Sequence, residues 1–419
     1  MKSILIASLS FCTAASSGVP CKTDEDCSLN GVCTSDECVC DPGWTTLPFG
    51  VNGAMKPGCG YLDLGRAAVT ECGPACAFHG GEGGVDLETT SWGGSVNKDP
   101  ATGRYVMFAA EMSQKCTLGQ WMTNSQVVMA TSDAPSGPFV REGIAIPPWS
   151  HNPEAVLAPD GTWVIYTLGP GFGAKKEINC THGVPPAQES VEEVISPVIR
   201  PSGAFISVNF TIHSSKSTKG PWTATTMVVD NWNSTWTLQN PGNWNPAPVI
   251  NADGSVRVMA HTDWAWWAGE VLLEAPSWKG PYTVNGRDDL IDHCAFCEED
   301  PFMWQDKRGN WHVLYHRMFD AAGELDPNWG KWSEQPSDVS PVPSPGWAGG
   351  HAFSKDGFTW SEWTRCYNTS ISLTNGSTVE VNRRERPKLL FGESGIPLHL
   401  YNGAITNWGT YTVTVPINS

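Results

Sequence analysis

Two short runs in the C-terminal half bring acids together beside a proline: Glu299-Asp300-Pro301 and Glu385-Arg386-Pro387. Carboxyls crowded together raise one another's pKa, whereas a neighbouring arginine lowers it, so such a set can hold one protonated and one ionised acid at the same pH. That is the pair needed to cleave a glycosidic bond, one acid protonating the leaving oxygen and the other activating water or attacking the sugar. Equivalent positions elsewhere hold Gly93-Gly94, His151-Asn152 and Trp244-Asn245, and Glu154 follows one of the anchors directly. The candidate catalytic acids are therefore Glu385, Asp300, Glu299 and Glu154, with His151, Asn152, Trp244 and Arg386 around them to bind substrate. A second group follows seven residues after a turn glycine: His261 and His316, with Asp263 and Arg317 close by and Asn402 at the matching place further on. His351, after Gly349-Gly350, joins the substrate-binding candidates, as do Trp264, Trp266 and Trp267, whose faces suit sugar rings. None of the histidines shows a metal-ligand spacing, so hydrogen bonding to sugar hydroxyls or to the acids is expected, with no metal or cofactor.

These positions are equivalent because the chain repeats. Five segments superpose on their turn glycines, Gly103, Gly161, Gly254, Gly309 and Gly395, each with an anchor eight residues earlier at Ser95, Pro153, Pro246, Pro301 or Pro387. A strand-like run follows each glycine, such as Trp163-Val-Ile-Tyr166 or Trp311-His-Val-Leu314, so each segment reads as a β-hairpin. Gly137-Pro-Phe139, Gly220-Pro-Trp222 and Gly280-Pro-Tyr282 then mark a turn between a third and a fourth strand. Four strands repeated five times imply an all-β, five-bladed propeller whose first strands line a central channel. The last repeat runs out after about three strands, so its fourth should come from the segment between Tyr61 and Thr90. Surplus length near Pro170–Pro201 and Phe319–Gly349 would wall the channel mouth.

The N-terminus carries Lys2, an apolar run from Ile4 to about Ala15 and the small residues Ser16, Ser17 and Gly18, which reads as a secretory signal peptide over 1–18. A cysteine-dense module over 19–60 and the propeller over 61–419 complete the expected organisation. The module's six cysteines, Cys21, Cys27, Cys33, Cys38, Cys40 and Cys59, permit fifteen pairings. So many cysteines in so short a stretch replace a core too small to hold itself. Sequons at Asn179, Asn209, Asn233, Asn368 and Asn375 agree with an extracellular glycoprotein. A formal charge of −17 excludes nucleic acid as partner, and no later segment is apolar enough to span a membrane. The Cys294-x-x-Cys297 step reads as a local disulfide, and the odd total beyond the module leaves one thiol over.

The Cys-x-Cys step followed by Asp-Pro-Gly-Trp44 resembles the epidermal-growth-factor-like (EGF-like) fold, and by that resemblance the pairs would be Cys21–Cys33, Cys27–Cys38 and Cys40–Cys59. Such modules usually act as spacers or protein contacts. The acidic Asp24-Glu25-Asp26 run stands before the second cysteine, not before the first as in calcium-binding members, so no calcium is expected there. The anchored hairpins and Gly-Pro-aromatic turns resemble the five-bladed propellers of glycoside hydrolase family 43 and their invertase-like relatives, over roughly residues 85–415. Those enzymes keep an Asp before the first anchor, an Asp before the second and a Glu two residues before the third. Here Gly94, Asn152 and Trp244 stand in those places. The resemblance thus implies a glycosidase with a relocated acid set acting on a polysaccharide or glycan: Glu385 as proton donor, Asp300 as base, and Glu154 or Glu299 as modulator. The alternative is a non-catalytic glycan-binding or extracellular-matrix propeller.

Overall fold

The computed structural model describes residues 16–46, 58–169, 177–181, 198–199, 205–230, 242–263, 269–287, 298–317, 347–381 and 383–419. Residues 1–15 of the expected leader, Asn233, Trp264, Trp266, Trp267, Cys294, Cys297 and most of the two long insertions lie outside them. Among the described residues no helix is long and apolar enough to cross a membrane.

Among the described residues the regular structure is nearly all β, with one short α-helix, Trp121–Asn124. Five antiparallel sheets follow one another, and each opens on the strand that carries an anchor: β1 (Ser91–Lys98), β2 (His151–Leu157), β3 (Gly242–Ile250), β4 (Glu298–Gln305) and β5 (Arg383–Phe391). In each sheet the hairpin partner, a third strand and a fourth strand pair outward in chain order. There are two exceptions: the second sheet gains a short strand, Val198–Ile199, paired on Phe205–Ser215, and the fifth takes its outermost strand, Cys76–Phe78, from early in the chain, paired through Thr412↔Phe78 and Val413↔Cys76. Each first strand lies against the first strands of the sheets before and after it, and β5 lies against β1.

Strand residues are apolar on both faces because each sheet is covered on both. Phe108, Val127 and Ile165 fill the gap between the first and second sheets, and Tyr166, Phe210, Val258 and Leu273 that between the second and third. Met259, Leu272, Val313 and Tyr315 join the third to the fourth, and Leu314, Tyr367, Leu389 and Leu400 the fourth to the fifth. Phe78, Val96, Met107 and Tyr401 close the series between the fifth and the first. The Gly-Pro-aromatic turns sit between third and fourth strands: Gly137, Gly220 and Gly280 take positive φ, and Phe139 and Tyr282 turn inward to full burial.

The N-terminal module has a three-stranded sheet of Ser16–Pro20, Gly31–Thr34 and Glu37–Cys40, with the last in the middle. Its disulfides are Cys21–Cys33, Cys27–Cys38 and Cys40–Cys59, and buried half-cystines form its core. The acidic run serves the backbone: Asp24 accepts from the Cys33 amide at 2.8 Å, and Asp26 from the Lys22 and Thr23 amides at 2.7 and 3.0 Å. The module is docked, since Trp44 and Leu62 enter the core between the fourth and fifth sheets. Beyond the module, Cys72 pairs with Cys76 and Cys116 with Cys180, while Cys366 is a buried free thiol.

Candidate active site

Every first strand bulges at its anchor. The residue before the anchoring proline takes a left-handed conformation, with φ of 52° at Asn152, 58° at Asn245, 60° at Asp300 and 56° at Arg386. In β1 the same bulge falls at Gly93, φ 61°. Glycine, asparagine and aspartate adopt this conformation readily, whereas an arginine there carries roughly 1–3 kcal/mol of strain, which singles Arg386 out as a position held for use. The bulge turns two consecutive side chains of each strand toward the place where the five strands meet.

The register corrects two alignments drawn from sequence. The hairpin of the first sheet ends on Lys98↔Tyr105, one residue longer than Gln305↔Trp311 or Ile250↔Val256. The position equivalent to Glu299-Asp300 is therefore Trp92-Gly93, not Gly93-Gly94. In the last repeat a shift between Leu390 and Phe391 sets Gly403, not Asn402, opposite Glu385. Asn402 instead supports the site from behind, accepting from Arg384 Nε at 3.0 Å and donating to the Glu385 carbonyl at 3.3 Å.

At the centre lies a small cleft lined by Trp92, Gly93, Asn152, Asn245, Asp300 and Arg386, which come from all five first strands. A chain of bonds crosses it. Asn152 Nδ2 donates to Asn245 Oδ1 at 2.5 Å, Asn245 Nδ2 to Glu299 Oε1 at 3.2 Å, and Arg386 to Asn245 Oδ1 at 3.0 Å and to Asp300. Glu299, Asp300, His316 and Glu385 each place one oxygen or ring nitrogen within 4.8 Å of the others'. His316 Nδ1 is 2.8 Å from Asp300, and its Nε2 is 3.6 Å from Glu299 and 3.9 Å from Glu385. Three carboxylates and an imidazole are also groups that can ligate a divalent metal ion.

The acids of this cluster are in different states. Burial and the Asp300 charge push Glu299 up to about 7. Burial would also raise Asp300, but the Arg386 guanidinium and His316 outweigh it and hold that carboxyl well below its ordinary range. Glu385 likewise overcomes burial through Arg383, whose Nε lies 2.5 Å away, and through His316, so it is lowered. Burial would lower His316, but Glu385, Asp300 and Glu299 together raise it, which favours the imidazolium. Glu299 keeps 26% of its side chain exposed and Glu385 only 9%, so the acid with the raised pKa is the more accessible one.

Other candidates are placed differently. Glu154 sits among them but is ion-paired to Lys388 and accepts from Ser95 at 3.2 Å. His151, buried in β2, has Nδ1 2.7 Å from Ser125 Oγ and stacks on Trp121; burial and Arg386 hold its pKa well below the ordinary value, which disfavours the imidazolium. Trp244 pairs with His261 in backbone register as Glu299 pairs with His316, and Asp263 ends the same strand. His351 is not part of the cluster. It lies on a third strand, fully buried against His312, Trp44 and Asn30 of the N-terminal module.

Arg383, Lys388 and Trp92 were not among the candidates. The charge-dense run Arg383-Arg384-Glu385-Arg386-Pro387-Lys388 is the visible trace of Arg383 and Lys388. Trp92 lies 5.6 Å beneath the Arg383 guanidinium and packs on Gly403, where an added Cβ would come within 2.6 Å of its ring. Gly403→Ala should therefore displace Trp92 and cost about 1–3 kcal/mol by overpacking, a loss that urea unfolding would measure. An unchanged midpoint would show that the indole has room to move.

The Teneurin-like EGF domain profile matches residues 23–45. A search of curated protein sequences gives no match. Among solved structures the chain is similar to Zg3597, a family 117 glycoside hydrolase of the marine bacterium Zobellia galactanivorans, with a TM-score of 0.49 and 11% identity over 86% of this chain and 90% of that one. It is also similar to an endo-arabinase from Bacteroides thetaiotaomicron, with a TM-score of 0.46 and 12% identity over 79% and 95%.

Proposed function

We propose that the five sheets are the blades of a five-bladed β-propeller and that the cluster at its axis hydrolyses glycosidic bonds in an extracellular polysaccharide or glycan. One observation carries the reading. Two glutamates from neighbouring first strands each place an oxygen within 4.8 Å of a common histidine and of each other, and their surroundings shift one pKa up and the other down. Glu299, protonated below about pH 7, gives its proton to the leaving oxygen. Glu385, kept ionised by Arg383, attacks the anomeric carbon; water then cleaves the ester and returns a proton to Glu299. Asp300, tied to Arg386 and His316, keeps the site's charge balanced and raises Glu299. These roles differ from the sequence expectation, in which Glu385 is the donor and Asp300 the base, because each of those two carboxylates has a guanidinium beside it.

The two glutamates are closer than the roughly 6.5–9.5 Å that leaves room for a water in an inverting pair. The expected product therefore retains its anomeric configuration, which proton NMR of a fresh digest would show; an inverted first product would remove Glu385 as nucleophile. A panel of plant and algal polysaccharides is the test of activity. Binding without cleavage, unaffected by Glu299→Gln and Glu385→Gln, would establish the non-catalytic alternative instead. Export rests on the leader-like N-terminus and on five disulfides, which form and persist in oxidising compartments.

A further inference from the structure

The N-terminal module meets the fourth sheet through a pair of buried histidines outside the acid cluster. His351 Nε2 lies 3.3 Å from Asn30 Nδ2 of the module and 3.1 Å from His312 Nδ1 on the adjacent strand. Both rings are fully buried and stacked on each other, with Trp304 against His312 and Trp44 of the module against His351. An amide nitrogen only donates, so His351 Nε2 is an acceptor and the ring's proton sits on Nδ1, which is buried with no hydrogen-bond partner. A second proton can go only to Nε2, where it would face the Asn30 amide and the His312 ring. The Asn30 amide nitrogen, which only donates, then loses its acceptor.

The charged groups around the pair leave His351 without a counter-ion. Asp306 Oδ2 lies 3.5 Å from His312 Nε2 and also accepts from Asn310 Nδ2 at 3.0 Å, while its Oδ1 accepts from the Arg308 and Asn310 amides, both at 2.8 Å, so Asp306 is the partner of His312. Arg308 spans the interface to the Leu29 carbonyl and to Asp41 of the module, the latter at 2.5 Å. Lys355 and Glu25 pair at the exposed rim at 2.8 Å, and Thr364 donates only to the His351 carbonyl. Burial, then the His312 charge, keep the His351 pKa well below its ordinary value; burial also lowers His312, partly offset by Asp306.

We propose that His351 is an acid-operated latch: the module is docked on the fourth sheet while this ring is neutral and is released when it is protonated. The sign follows from linkage. A histidine whose pKa is lowered by docking binds more protons when undocked, so docking is at full strength above the ordinary value of about 6.5 and weakens as pH falls below it. The weakening is about tenfold per pH unit for each proton taken up.

Hydrogen exchange of the full chain at pH 7.5, 6.5, 5.5 and 5.0, corrected for intrinsic rate, tests the latch. The Trp44–Thr45 and Tyr61–Leu62 ribbon should lose protection about tenfold per pH unit below 6.5, while the strand Ser125–Ser132 in the first sheet stays protected. His351→Gln keeps an acceptor for Asn30 and cannot titrate, so its ribbon should remain protected throughout. If that variant does not fold, nitrogen-15 spectra of the wild-type imidazoles decide. The latch is overturned if His351 takes up a proton near 6.5 while the ribbon stays protected. It is equally overturned if protection is constant from pH 7.5 to 5.0, or if a folded His351→Gln shows the wild-type pH step.

Discussion

Glu299→Gln is expected to lower kcat/KM on a cleaved glycan by roughly 10²–10⁴, the range general-acid catalysis commonly supplies. The amide fills the same space and still accepts from Asn245, so binding should survive and the loss should fall mainly on kcat. The pH profile makes the test specific. Glu299 must hold its proton to act, and its pKa is raised to about 7, so wild-type activity is present below that value and is lost as pH rises through it. Glu385 must be ionised and is lowered by Arg383, so activity falls on the acid side only when pH drops through that depressed value. The result is a bell whose alkaline limb disappears in Glu299→Gln. An alkaline limb that persists near pH 7 in the variant would assign the proton to another group. Arg383→Met should move the acid limb upward toward the ordinary glutamate value and leave the alkaline limb in place.

The second large effect is on stability. Lys388 and Glu154 form an ion pair between β5 and β2 with 12% and 6% of their side chains exposed, and Lys388 also lies 5.4 Å from the Phe302 ring. Lys388→Met keeps the apolar stem but leaves the buried Glu154 carboxyl without its ion-pair partner, while Ser95 still donates to its other oxygen. Breaking a buried pair from one side typically costs about 3–5 kcal/mol, whereas removing both charges is close to neutral. Lys388→Met should therefore destabilise by about that amount in denaturant unfolding, and Lys388→Met with Glu154→Gln should recover most of it. A single variant within 1 kcal/mol of wild type would mean that the pair is solvated well enough to matter little.

The repeat was legible because four of the five hairpins keep one spacing between anchor and turn glycine, so one offset carried the alignment from Pro153 to Pro387. The all-β architecture, the turns between third and fourth strands and the early strand that completes the last sheet follow from that pattern. It misled where a hairpin changed length. The longer Asp99-Pro100-Ala101-Thr102-Gly103 turn hid Trp92, and a one-residue slip near Phe391 put Asn402 in place of Gly403. His351 misled for another reason: a histidine after two glycines looks like a channel residue, but it stands on a third strand, where the module covers it. The protonation order was out of reach, since it depends on Arg383 and Arg386 reaching Glu385 and Asp300 respectively, and such reach is set by the bulges.

The early strand Cys76–Phe78 has a consequence for how the protein is made. Its partner around Thr412 leaves the ribosome 334 residues after Phe78, if position 412 is counted from 78. At roughly 5–20 residues per second that is a wait of about twenty seconds to a minute. Throughout translation of the intervening sheets, a strand with Phe78 among its apolar residues stands without its neighbour. The Cys72–Cys76 loop is short enough to close before that partner exists, which would keep the segment in a hairpin while it waits. Truncation within Gly409–Pro416 would accordingly leave Cys76–Phe78 without the strand it pairs with.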